Sequence, residues 1–416
     1  MHILFLTDNF PPEVNAPASR TFEHCREWVK LGEQVTVITC APNFPKGKVF
    51  PGYKNRLCQT ETIEGIRVIR VWSYITANEG FVRRSLDYIS FMVAATIASL
   101  FTKKVDVVIG TSPQFFTVCA AYVVGLLKRV PWIFELRDIW PESIKAVGSM
   151  KDGVLYRSLE KLELFLYRKA NRVISLTQSF KVELVSRGIS AEKIDVITNG
   201  VDLSLFKPRS KNQALLKQLG LENKFVAGYI GTIGMAHGLE TLVEAAEILQ
   251  GIPAAINIHF LVLGDGARKG VIKELASQKK LKNIAFIDTV PKSEVGDYWS
   301  LLDVSIIHLK KDPLFEKVIP SKLFECMGMG IPVLHGVLGE SAEIVNRLGV
   351  GKTVPPENPK ELALELMTLP VNSASLGQMR RAALNSAGAF ERRQLALNML
   401  QILQHHLAGH SGRGKA

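Results

Sequence analysis

An alternation that runs twice along the chain constrains its fold more than any other feature. Short runs rich in β-branched residues, bounded by turns, recur at Val35–Thr39, Gly65–Val71, Val105–Gly110, Trp132–Leu136 and Arg172–Leu176. Amphipathic stretches such as Ala18–Leu31 and Val154–Ala170 lie between several of them. A chain that alternates in this way is expected to form a parallel sheet covered by helices, each burying its apolar stripe on the sheet. After Pro208 the pattern starts again, at Phe225–Ile230, His259–Leu263, Ile284–Ile287, Val304–Ile307 and Pro332–Leu334. The fold expected is α/β, with two Rossmann-like doubly wound domains, residues 1–203 and 204–387. A last amphipathic helix is expected over 388–408. Residues 409–416 are Gly- and base-rich, and disorder is expected there.

Composition narrows the partners. The chain has 416 residues and a net charge of +12, which favours anions: nucleic acid, a nucleotide, lipid phosphate or a membrane surface. No dense Lys/Arg tract with interleaved aromatics occurs, so nucleic acid is disfavoured. Cys25, Cys40, Cys58, Cys119 and Cys326 lack metal-ligand spacing and read as free thiols of a reducing compartment. The opening residues read as a first strand cut off by Asp8 and Pro11-Pro12, not as a leader. Ser85–Phe101 is unusually apolar, with Arg83-Arg84 before it and Lys103-Lys104 after it. Asp87, Ser90, Thr96 and Ser99 argue against a spanning helix. A buried sheet-layer helix and a helix seated partly in a membrane interface both remain open.

The stretch Ile319–Leu334 carries the sharpest chemical signal. Pro320 and an N-cap Ser321 would open a short helix whose first turn holds Lys322, Leu323 and Glu325. Gly328 and Gly330 would close it before the strand Ile331–Leu334. A helix N-terminus favours phosphate, Lys322 adds a full charge, and Glu325 can accept from the two hydroxyls of a ribose. The plain alternative is a solvated Lys–Glu surface pair. Gly231–Gly238 follows a strand and precedes a helix, so Gly231, Thr232 and Gly234 could bring amides to a phosphate. Its spacing is not that of a nicotinamide-dinucleotide fingerprint, and tight turns need glycine anyway. His237 is either a phosphate donor or a loop residue. Gly264-Asp265-Gly266 is a second such turn, at the strand edge where open parallel sheets bind ligands.

In the first half, Arg137 and Asp138 follow the strand Trp132–Leu136. They either face a ligand crevice or cap the strand end. The loop Asn9–Arg20, rigid with three prolines, offers Glu13, Asn15, Ser19 and Arg20 to the same crevice, unless it is only a connector. No Asp-x-Asp, Gly-x-Ser-x-Gly or P-loop pattern occurs, so a metal-bridged diphosphate, hydrolase chemistry and P-loop chemistry are not indicated.

Taken in order, Ile3–Glu13, Glu135–Ser143, Val196–Phe206, Tyr229–Gly234, Leu263–Gly266 and Ile319–Glu325 resemble the GT-B glycosyltransferases of family GT4. The likeness is greatest to the bacterial O-antigen and capsule branch, including enzymes that add an N-acetylated deoxyhexosamine such as N-acetyl-fucosamine. It implies two domains facing a cleft, with the nucleotide-sugar donor on the second and the acceptor on the first. It implies a last helix crossing back from about Phe390, and retention of anomeric configuration with no metal or cofactor. Donor contacts would come from Gly231, Thr232, Gly234, His237, Gly264 and Asp265, with Ser321, Lys322, Leu323 and Glu325. Glu13, Asn15, Arg20 and Arg137 would lie on the acceptor side, and Asp138, Lys322 and Glu316 would be catalytic. Glu325 matches the second glutamate of the family's Glu-x7-Glu motif, the one on the ribose. Lys317 stands at the first, with Glu316 one residue out of register. Thr232 and His237 lie near where the family has a basic Arg/Lys pair.

The partners implied are a UDP-sugar donor and a polyprenyl-diphosphate saccharide acceptor, with no nucleic acid. The setting implied is cytoplasmic and peripheral, on the inner face of the bacterial membrane. A nucleotide-sugar 2-epimerase of the same architecture and a non-catalytic nucleic-acid-binding module are the alternatives.

Overall fold

The computed structural model describes residues 1–44, 46–76, 81–146, 150, 152–291 and 293–413. The chain divides into two compact units, Met1–Thr198 with Arg392–Ala416, and Asn199–Glu391.

The first unit holds an eight-stranded sheet. Its strands are β1 (His2–Leu6), β2 (Gln34–Cys40), β3 (Cys58–Ile63), β4 (Ile66–Val71), β5 (Val107–Thr111), β6 (Trp132–Leu136), β7 (Arg172–Ser175) and β8 (Ile194–Val196). They lie in the order β3-β4-β2-β1-β5-β6-β7-β8. All neighbours are parallel except β3, which pairs antiparallel with β4. The sequence pattern did not predict β3, because Cys-Gln-Thr-Glu-Thr-Ile is polar and half exposed. Glu64 and Gly65, which join β3 to β4, both take positive φ, as a two-residue hairpin turn requires.

Helices α1 (Ala16–Lys30), α2 (Phe81–Leu100) and α3 (Phe115–Lys128) cover this sheet. Phe5, Val37, Ile109, Ile133 and Ile174 form its core with Leu395, Met399 and Leu403 of the C-terminal helix. That helix runs Arg392–Arg413, and Trp28 Nε1 donates to its Ala396 carbonyl at 2.8 Å. Its backbone is helical through Arg413, beyond the end expected at 408. Residues 414–416 of that expected tail lie outside the described residues.

Ser85–Phe101 forms most of α2. Phe91, Ala95 and Ser99 are buried, so one face of α2 serves the core. Among the described residues no helix is long and apolar enough to cross a membrane.

The second unit holds six parallel strands: β9 (Phe225–Ile230), β10 (Ile258–Leu263), β11 (Ile284–Ile287), β12 (Val304–His308), β13 (Val333–Gly336) and β14 (Gly351–Thr353). Their order is β11-β10-β9-β12-β13-β14. Strand order therefore reverses between β9 and β12. Loops leave the sheet in opposite directions at such a point, opening a crevice at the carboxyl ends of the strands. The glycine turns after β9 and β10 and the loop after β12 all emerge there.

Candidate functional site

The two glycine turns of the second unit interlock. Gly231 has φ 141° and Gly264 has φ 147°. A Cβ on Gly264 would sit 1.9 Å from the Gly231 carbonyl oxygen, so backbone lies on backbone. Gly231 N–H donates to Leu263 O and Ile233 N–H to Asp265 O, both at 2.9 Å. Gly234 N–H donates to His237 Nδ1 at 3.2 Å. The Asp265 carboxylate folds back on its own turn, accepting from Gly266 N–H at 2.8 Å. Three of the four amides from Gly231 to Gly234 thus have partners inside the protein, which corrects the expectation of an open amide cradle.

The helix expected at Lys322 is present as Lys322–Met329. Ser321 holds its N-cap position, but with helical dihedrals (φ −58°, ψ −30°) and no capping hydrogen bond. This corrects the capping role expected of it. Tight turns satisfy this end instead: Leu323 N–H donates to Pro320 O at 3.0 Å and Phe324 N–H to Ser321 O at 3.1 Å. Leu323 is fully buried in the core.

Charge at this end rests on Lys322. Its Nζ is buried and has no hydrogen-bond partner. A Cβ on Gly231 would lie 2.9 Å from that nitrogen, so the ammonium sits beneath the first glycine turn. Burial pulls its pKa down to about 7, against the nearby Glu325 carboxylate, which favours the charged form. Glu325 is half-buried, three residues along the same helix.

His237 is held at about pKa 3 by burial first and then by the Lys322 charge. Because Nδ1 accepts from Gly234, the ring is neutral there. His308, at the end of β12, was not anticipated. Its Nδ1 lies 2.7 Å from the His237 carbonyl, and its Nε2 accepts from Glu357 N–H at 3.0 Å. It therefore ties the glycine turn to the loop that follows β14. Glu316 lies in a short turn, Phe315–Lys317, beside a recess lined by Lys310, Asp312 and Val337.

In the first unit most of the expected acceptor-side residues are engaged within the protein. Arg20 is fully buried (0% exposed), which corrects its placement toward the crevice. Its Nε donates to Glu135 Oε1 at 2.9 Å, and its terminal nitrogens donate to the Thr198 and Ile197 carbonyls at 2.6 and 2.9 Å. A guanidinium next to the core is stable only when its donors are met this way. Asn15 caps α1, accepting from Ala18 N–H at 2.8 Å. Glu13 Oε1 accepts from the Asn43 and Phe44 amides at 2.7 and 2.8 Å, while its Oε2 has no partner and burial pushes its pKa to about 7.

Arg137 and Asp138 both follow β6. Their amides donate to the Ser112 hydroxyl at 2.8 and 3.3 Å, a partner the sequence did not single out. Arg137 Nη1 donates to Pro17 O at 3.1 Å, and burial lowers this guanidinium to about 9. Burial raises Asp138 to about 7, opposed by hydrogen bonds from Ser143 and Ile139. A carboxyl poised near neutrality at a strand end can take or give a proton.

Known proteins match this architecture along most of the chain. The glycosyl transferase 4-like domain family matches residues 15–200, and the group 1 glycosyl transferases match residues 224–370. WcaI of Escherichia coli (strain K12), a glycosyl transferase named for colanic acid biosynthesis, is 25% identical over 79% of this chain and 82% of its own length. The glycosyltransferase WbjE of Pseudomonas aeruginosa is 24% identical over 68% of this chain and 70% of its own. Among solved structures, sucrose-phosphate synthase from Thermosynechococcus elongatus superposes with a TM-score of 0.78 at 18% identity, covering 98% of this chain and 99% of that one. HepE of Anabaena, in complex with UDP-glucose, superposes at 0.71 with 16% identity, covering 97% of this chain and 100% of its own. These likenesses show the GT-B fold, and with the two matched domains they establish that the chain is a glycosyltransferase belonging to the GT4 (group 1) family.

Proposed function

We propose that the protein moves a hexose or N-acetylated deoxyhexosamine from a UDP-sugar to a polyprenyl-diphosphate-linked saccharide, with retention and without a metal ion. The observation that carries this is the buried Lys322 ammonium, without a hydrogen-bond partner, beneath the Gly231 turn at the strand-order reversal. When a nucleoside diphosphate leaves a sugar, negative charge grows on its β-phosphate. A preplaced cation in a low-dielectric site lowers that barrier without reorganising. Lys322 supplies such a charge, Glu325 would accept from the ribose hydroxyls, and Glu316 would face the sugar. The leaving phosphate would take the acceptor proton, with Asp138 on the acceptor side. HepE was solved with UDP-glucose, and WcaI is named for colanic acid synthesis, which supports a nucleotide-sugar donor and a cell-surface polysaccharide product.

A lipid-linked acceptor places the reaction at the inner face of the cytoplasmic membrane. The outward face of α2 supports this, carrying exposed Leu86, Ile89, Val93, Ile97 and Leu100 at helical spacing, followed by Phe101, 79% exposed. Lys128 Nζ donates to Thr102 O at 2.6 Å, which brings exposed Leu126 and Leu127 of α3 beside that end. Exposed Lys103, Lys104 and Arg129 surround it. Apolar side chains ringed by cations suit an anionic bilayer.

The test is transfer from UDP-sugars to an undecaprenyl-diphosphate saccharide in anionic and in neutral vesicles. The expected result is transfer with retention that is faster on anionic vesicles and is lost in Lys322→Ala and Glu325→Ala. Wild-type kinetics in both variants, or consumption of donor without transfer, would overturn the reading.

A further inference from the structure

Lys322 keeps its ammonium buried although no acceptor among the described residues reaches it, so another group must hold it there. The Nζ lies 3.5 Å from the centroid of the Tyr229 ring. Tyr229 is on β9, is fully buried, and donates its hydroxyl to the Thr232 carbonyl at 2.5 Å. One side chain therefore touches both halves of the candidate donor site: its ring faces the cation and its hydroxyl fixes the glycine turn above. The face of an aromatic ring carries negative potential and attracts an ammonium, more strongly once water is excluded. The His237 ring stands edge-on to Tyr229, with centroids 6.1 Å apart, and is neutral.

We propose that Tyr229 is a positioning residue of the donor site, its ring face holding the Lys322 ammonium charged and in place beneath the Gly231 turn before any diphosphate arrives. This rests on the reading that Lys322 meets the diphosphate. The titratable groups around the ammonium are Tyr229 from β9, His237 from the turn, His308 from β12, and Glu325 and Cys326 from its own helix. Burial depresses the charged form of Lys322, and the ring opposes that depression. A diphosphate at Nζ restores the charge, so binding above neutral pH takes up a proton. A weaker ring interaction leaves more Lys322 neutral beforehand. Binding is then weaker at pH 8, and the deficit narrows toward pH 6, where much more of Lys322 is already protonated.

The experiment is calorimetric titration with UDP at pH 6 and pH 8, in buffers of different ionisation enthalpy. It uses wild type, Tyr229→Phe, and protein with pentafluorophenylalanine at 229, which keeps the shape of phenylalanine but removes the negative ring face. The fluorinated protein should bind UDP about fivefold to tenfold more weakly than Tyr229→Phe at pH 8, where uptake is near one proton for both, but less than about twofold more weakly at pH 6, where its uptake is the larger of the two. Equal affinity for the two at pH 8 and equal uptake at pH 6 would overturn the role of the ring. Lys322→Met separates the two ideas: it should abolish proton uptake and weaken binding. Unchanged UDP affinity in that variant would sink the donor-site reading itself. Loss of affinity in Lys322→Met with no effect of fluorination would sink only the role of Tyr229.

Discussion

Both units bury charge, but they treat it differently. In the first, Arg20 and Glu135 pair at 2.9 Å, and carbonyls accept from the other Arg20 nitrogens. Arg392 meets Glu23 at 2.9 Å in the same unit. In the second, the Lys322 ammonium is buried against an aromatic ring with no hydrogen-bond acceptor. Removing an ion from water costs several kcal/mol, and a well-made pair recovers much of it. Where the chain itself completes the pair, charge serves architecture. Where it does not, the stability forgone is available to a ligand that brings the missing anion.

The largest test of this contrast is Arg20→Met. It leaves Glu135 buried without its partner and should cost about 3–5 kcal/mol in chemical denaturation. A loss below ~1 kcal/mol would show that the pair is not structural. Next, Lys322→Met removes an unsatisfied buried charge and should stabilise the ligand-free protein by about 1–2 kcal/mol, although UDP affinity falls.

That gain has a pH signature. The folded pKa of Lys322 is lowered to about 7, so between there and 10.5 the unfolded chain binds more protons than the folded one. Wild-type stability therefore rises with pH across that window relative to Lys322→Met, and the gap between the two closes. Thermal unfolding at pH 7 and pH 9.5 measures it; a gap that widens toward pH 9.5 would refute the buried-charge account. The smallest expected effect belongs to Asn15→Ala, which loses the α1 cap and should cost about 1 kcal/mol while UDP affinity stays at the wild-type value. A clear fall in UDP affinity would mean that this loop does more than cap.

Much of the sheet scaffold was legible because burial on both faces writes continuous β-branched runs. Val107–Thr111 and Trp132–Leu136 are buried at every position. Strand β3 was not, since it is an edge strand with half its side chains in solvent. The Lys322 helix was legible from its proline and glycine punctuation. Ser321 holds the N-cap position expected of it, but its helical dihedrals leave it without a capping hydrogen bond. Arg20 was misplaced because its partner Glu135 and its acceptor Thr198 lie far along the chain. His308 carried no local signal: it ends an ordinary apolar strand, and only the strand order brings it to the glycine turn. Tyr229 directly precedes that turn in sequence, but its contact with Lys322 depends on a helix far along the chain.

The sequence by itself determined two parallel sheets, glycine turns at the edge of the second, and a lysine and glutamate on one helical turn near them. Periodicity and turn chemistry are local properties, and a linear chain records them. The tertiary structure decided which amides are already bonded, that Arg20 is sealed in and that Lys322 rests on Tyr229. Hydrogen-bond satisfaction and the cost of burying charge depend on which distant residues come to surround a group, and folding alone sets that.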